Sequence, residues 1–425
     1  HLRDEYGDIQ IVTQKGVTSV SDLPGEDGSK FFKKFIDTGD IIGVRGEVIK
    51  TKTGEISVLA KELKILSKAL LPLPEKWHGL QDKELRYRER YLDLIVNPES
   101  RRVFKTRNRI ISFIREFLND RGFLEMETPV LQPIYGGAMA KPFETYSHVL
   151  GTKLYLRISN ELYLKRLLVG GFEKVYEFSK DFRNEGIDRL HYPEFTLLEA
   201  YAAYWDYEDM LRMTEELLSQ LALEIKGSFE FEYQGEKISF KPPFERIDYV
   251  RSLEKHLGFN PLEVDEEKLR KAAETHGIEK FEKLPKHKLM DKLFDKLIGD
   301  KIKDPAFVIN HPVEISPLAK RHREIPGVTE RFELFILGME IANAFSELND
   351  PIDQRQRFEK QVELRKLGDA EIPAEIDEDF LKALEVGMPP AGGIGYGIDR
   401  IVMLLTDQPS IRDVILFPQL RPKKE

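Results

Sequence analysis

Two prolines one residue apart, in Leu71-Pro72-Leu73-Pro74-Glu75-Lys76-Trp77, divide this chain into parts of unlike pattern. Proline fixes its own backbone and pushes its predecessor out of the helical region, so the stretch reads as an extended connector and not a flexible one. On its N-terminal side the residues alternate as strands: Asp8 to Gln14, Ile41 to Lys50, a turn at Lys52-Thr53-Gly54-Glu55, and a return from Ile56 to Leu66. This pattern predicts a small antiparallel barrel over residues 1–66, a connector over 67–96 and a larger domain over 97–425. The chain starts already inside a strand pattern, so a first strand and an N-terminal extension are expected before His1.

In the larger part, Asn97-Pro98 opens an amphipathic helix with Val103, Ile110, Ile111, Ile114, Phe117 and Leu118 on one face, stopped by Gly122. Beyond it strands, turns and helices follow without the regular strand-helix alternation of a doubly wound sheet. The expected class is α+β, an antiparallel sheet flanked by helices. Asp265 to Gly299 carries two lysine- and glutamate-rich helical segments, read as the solvated faces of a helical insertion at about 250–300. Asp350-Pro351 starts another helix running to Gly368.

The 425 residues contain no cysteine, so thiolate nucleophiles and cysteine-ligated zinc are excluded, and a metal must rely on carboxylates, histidines or water. Mg²⁺ fits that description. A net charge of -9 argues against a protein that coats DNA nonspecifically, but leaves room for a nucleic acid docked on a local basic strip. The high charged content, 33%, together with the missing cysteines suits a heat-adapted source, although ordinary drift explains it equally. No apolar run is long enough to span a bilayer, and the start has no signal-peptide pattern, so a soluble cytoplasmic protein is expected.

Two arginines carry the chemistry. Arg183 lies in Phe182-Arg183-Asn184-Glu185-Gly186, a turn between strand-like runs, and Arg400 ends Gly395-Tyr396-Gly397-Ile398-Asp399-Arg400. A fixed guanidinium stabilises charge that accumulates on phosphate oxygens, so the pair suits a polyphosphate gripped from two sides. An ion pair of Arg183 with Asp181 or Glu185 is the plainer reading. The glycines before Arg400 lack the spacing and the strand context of a dinucleotide fingerprint. If Phe332 to Asn349 forms two strands joined at Gly338, Glu333 and Glu340 face one Mg²⁺. Carboxylates on a solvated sheet face are the alternative, disfavoured by the apolar Ile341, Ala342, Ala344 and Phe345 around them.

With these motifs in place, the chain resembles the class II lysyl-tRNA synthetases over essentially its whole length. The first of the three class II motifs is similar to Gly122-Phe123-Leu124-Glu125-Met126-Glu127-Thr128-Pro129. The second is similar to Phe182 to Glu185 with His191, Pro193, Glu194 and Phe195, and the third to Gly395 to Arg400. Runs typical of this family in particular are Tyr135-Gly136-Gly137-Ala138, Glu161-Leu162-Tyr163-Leu164-Lys165-Arg166 and Arg331-Phe332-Glu333-Leu334-Phe335.

The resemblance implies a homodimer that binds ATP, L-lysine and tRNA(Lys), with Arg183 and Arg400 as the catalytic pair. Arg183 would hold the α-phosphate and the substrate carboxylate, Arg400 the γ-phosphate, and His191 the phosphate tail. Phe195 would stack on adenine and Glu185 read its edge, while Glu333 and Glu340 would ligate magnesium. For the amino acid, Glu161 would take the α-ammonium and Asn343 the carboxylate, with Glu199, Tyr201 and Glu347 around the ε-ammonium. Gly137 and Phe345 would complete the lysine site. An acidic pocket suits a buried cation, whereas relatives that activate aspartate should present positive charge there.

The barrel resembles the family's anticodon-binding OB fold, with Gln10 and Glu55 at positions near the anticodon and Arg45, Lys50 and Lys52 as phosphate contacts. Glu55 reads equally as a polar hairpin residue. The sequence departs from the family at Tyr192, at Ser159-Asn160 and at Ala391-Gly392-Gly393, none of which removes a site charge. A paralogue that lysylates a protein such as elongation factor P is disfavoured by the barrel, and a catalytically silent tRNA binder by the full set of charged residues.

Overall fold

The computed structural model describes the chain except for residues 22, 75–79, 367–372, 374 and 423–425. The connector residues Glu75, Lys76 and Trp77 and the expected helix end at Gly368 therefore lie outside the described residues. The chain forms two compact units, His1–Ser100 with Leu420–Glu425, and Arg101–Gln419.

The first unit is built on the long strand Ile56–Ser67. Gly54, at φ +90°, closes the hairpin that lays Ile41–Lys50 antiparallel along one edge. Asp8–Val12 and Ser19–Val20 pair with Ile56–Ser67 in the parallel sense. The expected purely antiparallel barrel is therefore a mixed five-stranded sheet, and it does not close among the described residues. Local alternation identifies strands but not the direction in which non-consecutive ones pair. The part of the expected connector next to the long helix is also helical. Lys83–Arg88 and Arg90–Val96 are held around the buried Asp93 carboxylate, which accepts from Arg86 at 2.8 Å, Arg90 at 2.6 Å and Asn97 at 2.7 Å.

The second unit is an eight-stranded sheet. Its spatial order is Glu245–Asp248, Ala306–Ile309, Arg331–Ile336, Met339–Ser346, Ala391–Gly397, Glu194–Ala203, Lys174–Phe182 and Leu124–Glu125. The inner pairings are antiparallel, and only the two outermost are parallel. Alternate side chains of a strand face opposite ways, and the central strands use this fully. Leu198, Ala200, Ala202, Ala342, Ala344, Ile394 and Tyr396 enter one core with the helices Tyr207–Lys226 and Ile398–Thr406. The former begins at a capping box in which Asp206 accepts from the Asp209 backbone and Asp209 from that of Asp206, and ends at Gly227 with φ +71°.

The helix Pro98–Asn119 starts at the expected proline and adds Val103, Ile110, Ile114, Phe117 and Leu118 to the same core. Gly122, three residues past its end, is left-handed at φ +79°. The insertion comprises Tyr249–Leu257, Glu266–Thr275 and Lys286–Leu297. Their inward faces, with Leu253, Leu269, Leu289, Leu293 and Phe294, form a second core against the sheet edge. Among the described residues no helix is long and apolar enough to cross a membrane.

Candidate active site

The face of the sheet turned away from the core carries the polar partners of the same strands. One rung across it runs Glu177, Glu199, Gly395, Asn343, Glu333. The next runs Tyr201, Gly393, Phe345, Arg331. The glycines before Arg400 are thus the cleft-facing positions of a period-two strand whose other face is Ile394 and Tyr396. They leave a trough between acidic strands, and a cavity of about 530 Å³ opens over it.

At one end of this cavity acids gather. Glu199 Oε1 accepts from the Ser159 hydroxyl at 2.8 Å and Oε2 from the Tyr201 hydroxyl at 3.0 Å. Glu161 opens the helix Glu161–Val169, and the fully buried Lys165 ammonium, one turn on, donates to its Oε1 at 2.5 Å. The same ammonium pairs with Glu347 Oε2. Glu347 Oε1 is buried without a hydrogen-bond partner. A Cβ on Gly393 would overlap that oxygen and lie 2.5 Å from Tyr201 Cε1, so only glycine leaves this end open. Gly137 plays a similar part at φ +85°, where a Cβ would come within 2.7 Å of Ser159 Oγ.

Burial, then Asp181 and Glu161, push the Glu199 carboxyl up to about 8. Burial raises Glu347 and Glu161 as well, although Lys165 opposes it at both. Lys165 itself is held above the usual lysine range, because Glu161 and Glu347 outweigh the effect of its burial. Three carboxylates against one ammonium leave this end short of positive charge.

The other end is cationic. Arg183 lies with its guanidinium 5.0 Å from the centre of the Phe195 ring. Arg400 bonds the Glu340 backbone carbonyl at 2.5 Å and reaches His191 Nε2 at 3.2 Å, while His191 Nδ1 meets Asp188 at 2.8 Å. Next to Arg400, Asp399 accepts from Arg107 at 2.6 Å and from the Thr196 backbone at 2.7 Å, which anchors the helix Ile398–Thr406. Glu185 bonds the Lys141 backbone at 3.1 Å. Arg183, Glu185, His191, Phe195 and Arg400 all line the one cavity, as do Gly137, Glu161, Glu199, Tyr201, Asn343, Phe345, Glu333 and Glu340, whereas Glu347 is fully buried next to the lining residue Gly393 and does not itself line it.

Glu333 and Glu340 stand on the two strands of the hairpin turned at Leu337 and Gly338. A register shift between Leu334 and Phe335 sets Glu340 opposite Phe335, out of the plain alternation. Burial tends to raise Glu333, but Arg331 and His311 hold it down at about 2. Reduced hydration and the Glu333 charge raise Glu340, although its side chain stays 45% exposed. Among the described residues no cluster of three or more His, Asp or Glu side chains could hold a metal alone. Two carboxylates near Arg183 and Arg400 suit a hard cation such as Mg²⁺ only if other oxygens complete its shell.

Gln10 and Glu55 belong to the first unit, where Gln10 accepts from Ser57 at 2.6 Å and Glu55 lies 3.7 Å from His1. Sequence reasoning missed Lys165 and Arg331 as site residues. Arg331 donates to Asn343 at 3.0 Å and to Glu333 at 2.5 Å, linking the two ends of the cavity. Their one signal was position, since each lies inside a run singled out for other residues. Ser159 and Asn160, noted only as departures, bond Glu199 and Glu177 respectively.

A family model of class II tRNA synthetases (D, K and N) matches residues 82–421, and one of the OB-fold nucleic acid binding domain matches residues 1–66. Proteins named Lysine--tRNA ligase align along the chain. That of Pelotomaculum thermopropionicum is 56% identical, over 100% of this chain and 83% of its own length. That of Thermosipho melanesiensis is 52% identical, over 100% and 82%. That of Aquifex aeolicus is 50% identical, over 100% and 70%. Matched by the synthetase model through the whole of its cavity-bearing unit, the chain belongs to the class II tRNA synthetases.

Proposed function

We propose that this protein activates L-lysine with ATP and passes the lysyl group to tRNA(Lys). In the first step a lysine carboxylate oxygen attacks the α-phosphorus of ATP and the bond to pyrophosphate breaks, giving lysyl-adenylate. In the second, a hydroxyl of the tRNA's terminal ribose attacks the activated carbonyl and AMP leaves. The observation that carries the lysine assignment is the acid end of the cavity. Glu161 and Glu347 share one resident ammonium there, Lys165, while the nearby Glu199 accepts from the neutral hydroxyls of Ser159 and Tyr201. Buried carboxylates without matching cations are costly, and a substrate with two ammonium groups supplies the two positive charges missing when all three are ionised.

In this reading Glu161 takes the α-ammonium, while Glu199, Tyr201 and Glu347 surround the ε-ammonium. Asn343, held by Arg331, faces the carboxylate, and Gly137 and Phe345 shape the walls. Arg183, on the floor with Phe195, stabilises charge on the α-phosphate, and Arg400 with His191 holds the tail of the nucleotide. Phe195 offers its ring to adenine and Glu185 an acceptor to the adenine edge. Glu333 and Glu340 would hold Mg²⁺, which when bound neutralises phosphate charge. No side-chain nucleophile is needed, since proximity and preorganised charge supply the rate. Gln10 and Glu55 contact the anticodon, and two copies of the chain form the working enzyme in the cytoplasm.

Lysine-dependent ATP–pyrophosphate exchange tests the first step. Charging of tRNA(Lys) against elongation factor P as rival acceptors tests the second. Exchange that responds to aspartate or asparagine and not to lysine would overturn the proposal.

A further inference from the structure

Lys165 has no place in the chemistry above, yet its ammonium is fully buried and paired with two of the carboxylates assigned to the substrate. Its ammonium touches two carboxylates that come from separate elements, Glu161 on the helix Glu161–Val169 and Glu347 just past the strand Met339–Ser346. Phe345 and Phe380 flank it with ring centres 5.5 and 6.0 Å away. In the proposed reading these two carboxylates serve opposite ends of the substrate, the α-ammonium and the ε-ammonium. Each gives one oxygen to Lys165, and the other Glu347 oxygen has no hydrogen-bond partner.

We infer that Lys165 is a positioning residue that fixes the spacing between Glu161 and Glu347, and so makes the cavity a gauge of amino-acid length. Without it two like charges would face each other unscreened in an apolar surround, and they would separate or one would take a proton. Either response spoils the match to a diammonium substrate of one length. A shorter diamine acid, ornithine, has the same charges, so charge alone rejects it weakly, and one methylene in a pocket that can adjust gives little discrimination. A rigid spacing between the two acceptors is what converts a missing methylene into an unmade ion pair.

This inference rests on the lysine-activating reading, and one set of measurements separates the two. Unmodified enzyme is assayed by pyrophosphate exchange with lysine and with ornithine, and failure to exchange with lysine sinks the functional reading itself. Given exchange, Lys165→Met should raise KM for lysine by about 10-fold or more with kcat within about 3-fold, because Lys165 touches no reacting atom. The preference for lysine over ornithine in kcat/KM should fall by about 10-fold. Lys165→Arg, which keeps the charge but changes the reach, should fold and still lose preference. An Arg variant, or a folded Met variant, with the parent's lysine-to-ornithine ratio would reduce Lys165 to a structural ion pair, whatever happens to its melting temperature.

Discussion

A carboxylate enclosed among other acids settles its charge by taking a proton or by meeting a cation, and Glu199 does the first until a ligand permits the second. Held up to about 8, it carries a proton at neutral pH. The sign follows from linkage. A bound ammonium favours the ionised form, so lysine binding should expel a proton, and affinity should climb from about pH 6 to about pH 8 and then level off. Calorimetry in buffers of different ionisation enthalpy reads this directly, and proton uptake on binding would contradict it. For the unliganded fold the raised value stabilises at acid pH, below the ordinary carboxyl range, and that contribution fades as pH rises through about 8. Glu199→Gln should weaken lysine binding by ~2–4 kcal/mol, since the ammonium is left underpaired in a dry site. Arg183→Ala should slow adenylate formation by ~100-fold or more in single turnover, with lysine affinity changed far less.

The strand Ala391–Gly397 shows how much a short run of sequence can reveal. Its alternation of glycine with Ile394 and Tyr396 was legible as an unusual backbone beside Arg400, and the strand period explains it without a nucleotide-binding loop. Substituting its glycines should therefore give unequal results. Gly393→Ala drives a methyl into Glu347 and Tyr201 and should abolish lysine-dependent exchange. A Cβ on Gly395 meets nothing closer than 3.8 Å, and Gly395→Ala should leave the thermal transition close to the parent's. What stayed hidden was set by tertiary packing. Lys165 sits in a run of helical sequence where a lysine ordinarily faces water, and its buried partners Glu347 and Phe380 come from far along the chain. The parallel pairings of the first unit escaped for a related reason. Each strand there satisfies local alternation, while its partner lies many residues away.

At the scale of the whole molecule, the two compact units divide the expected work. Gln10→Ala or Glu55→Ala should lower charging of tRNA(Lys) while leaving pyrophosphate exchange, which needs no tRNA, within about 2-fold, because alteration of one recognition edge acts on binding of that partner. A fall in exchange would deny the division. Sedimentation at working concentration should return twice the chain mass, and a monomer would count against the dimer. The sheet itself imposes a rule on how such an enzyme can diversify. Since successive residues of the strand Ala391–Gly397 belong by turns to the hydrophobic layer and to the cavity face, inserting or deleting a single residue there would turn Ile394 and Tyr396 toward the cavity and put glycines under the helices. New specificity at this strand is therefore reachable by exchanging side chains in place and not by changing its length.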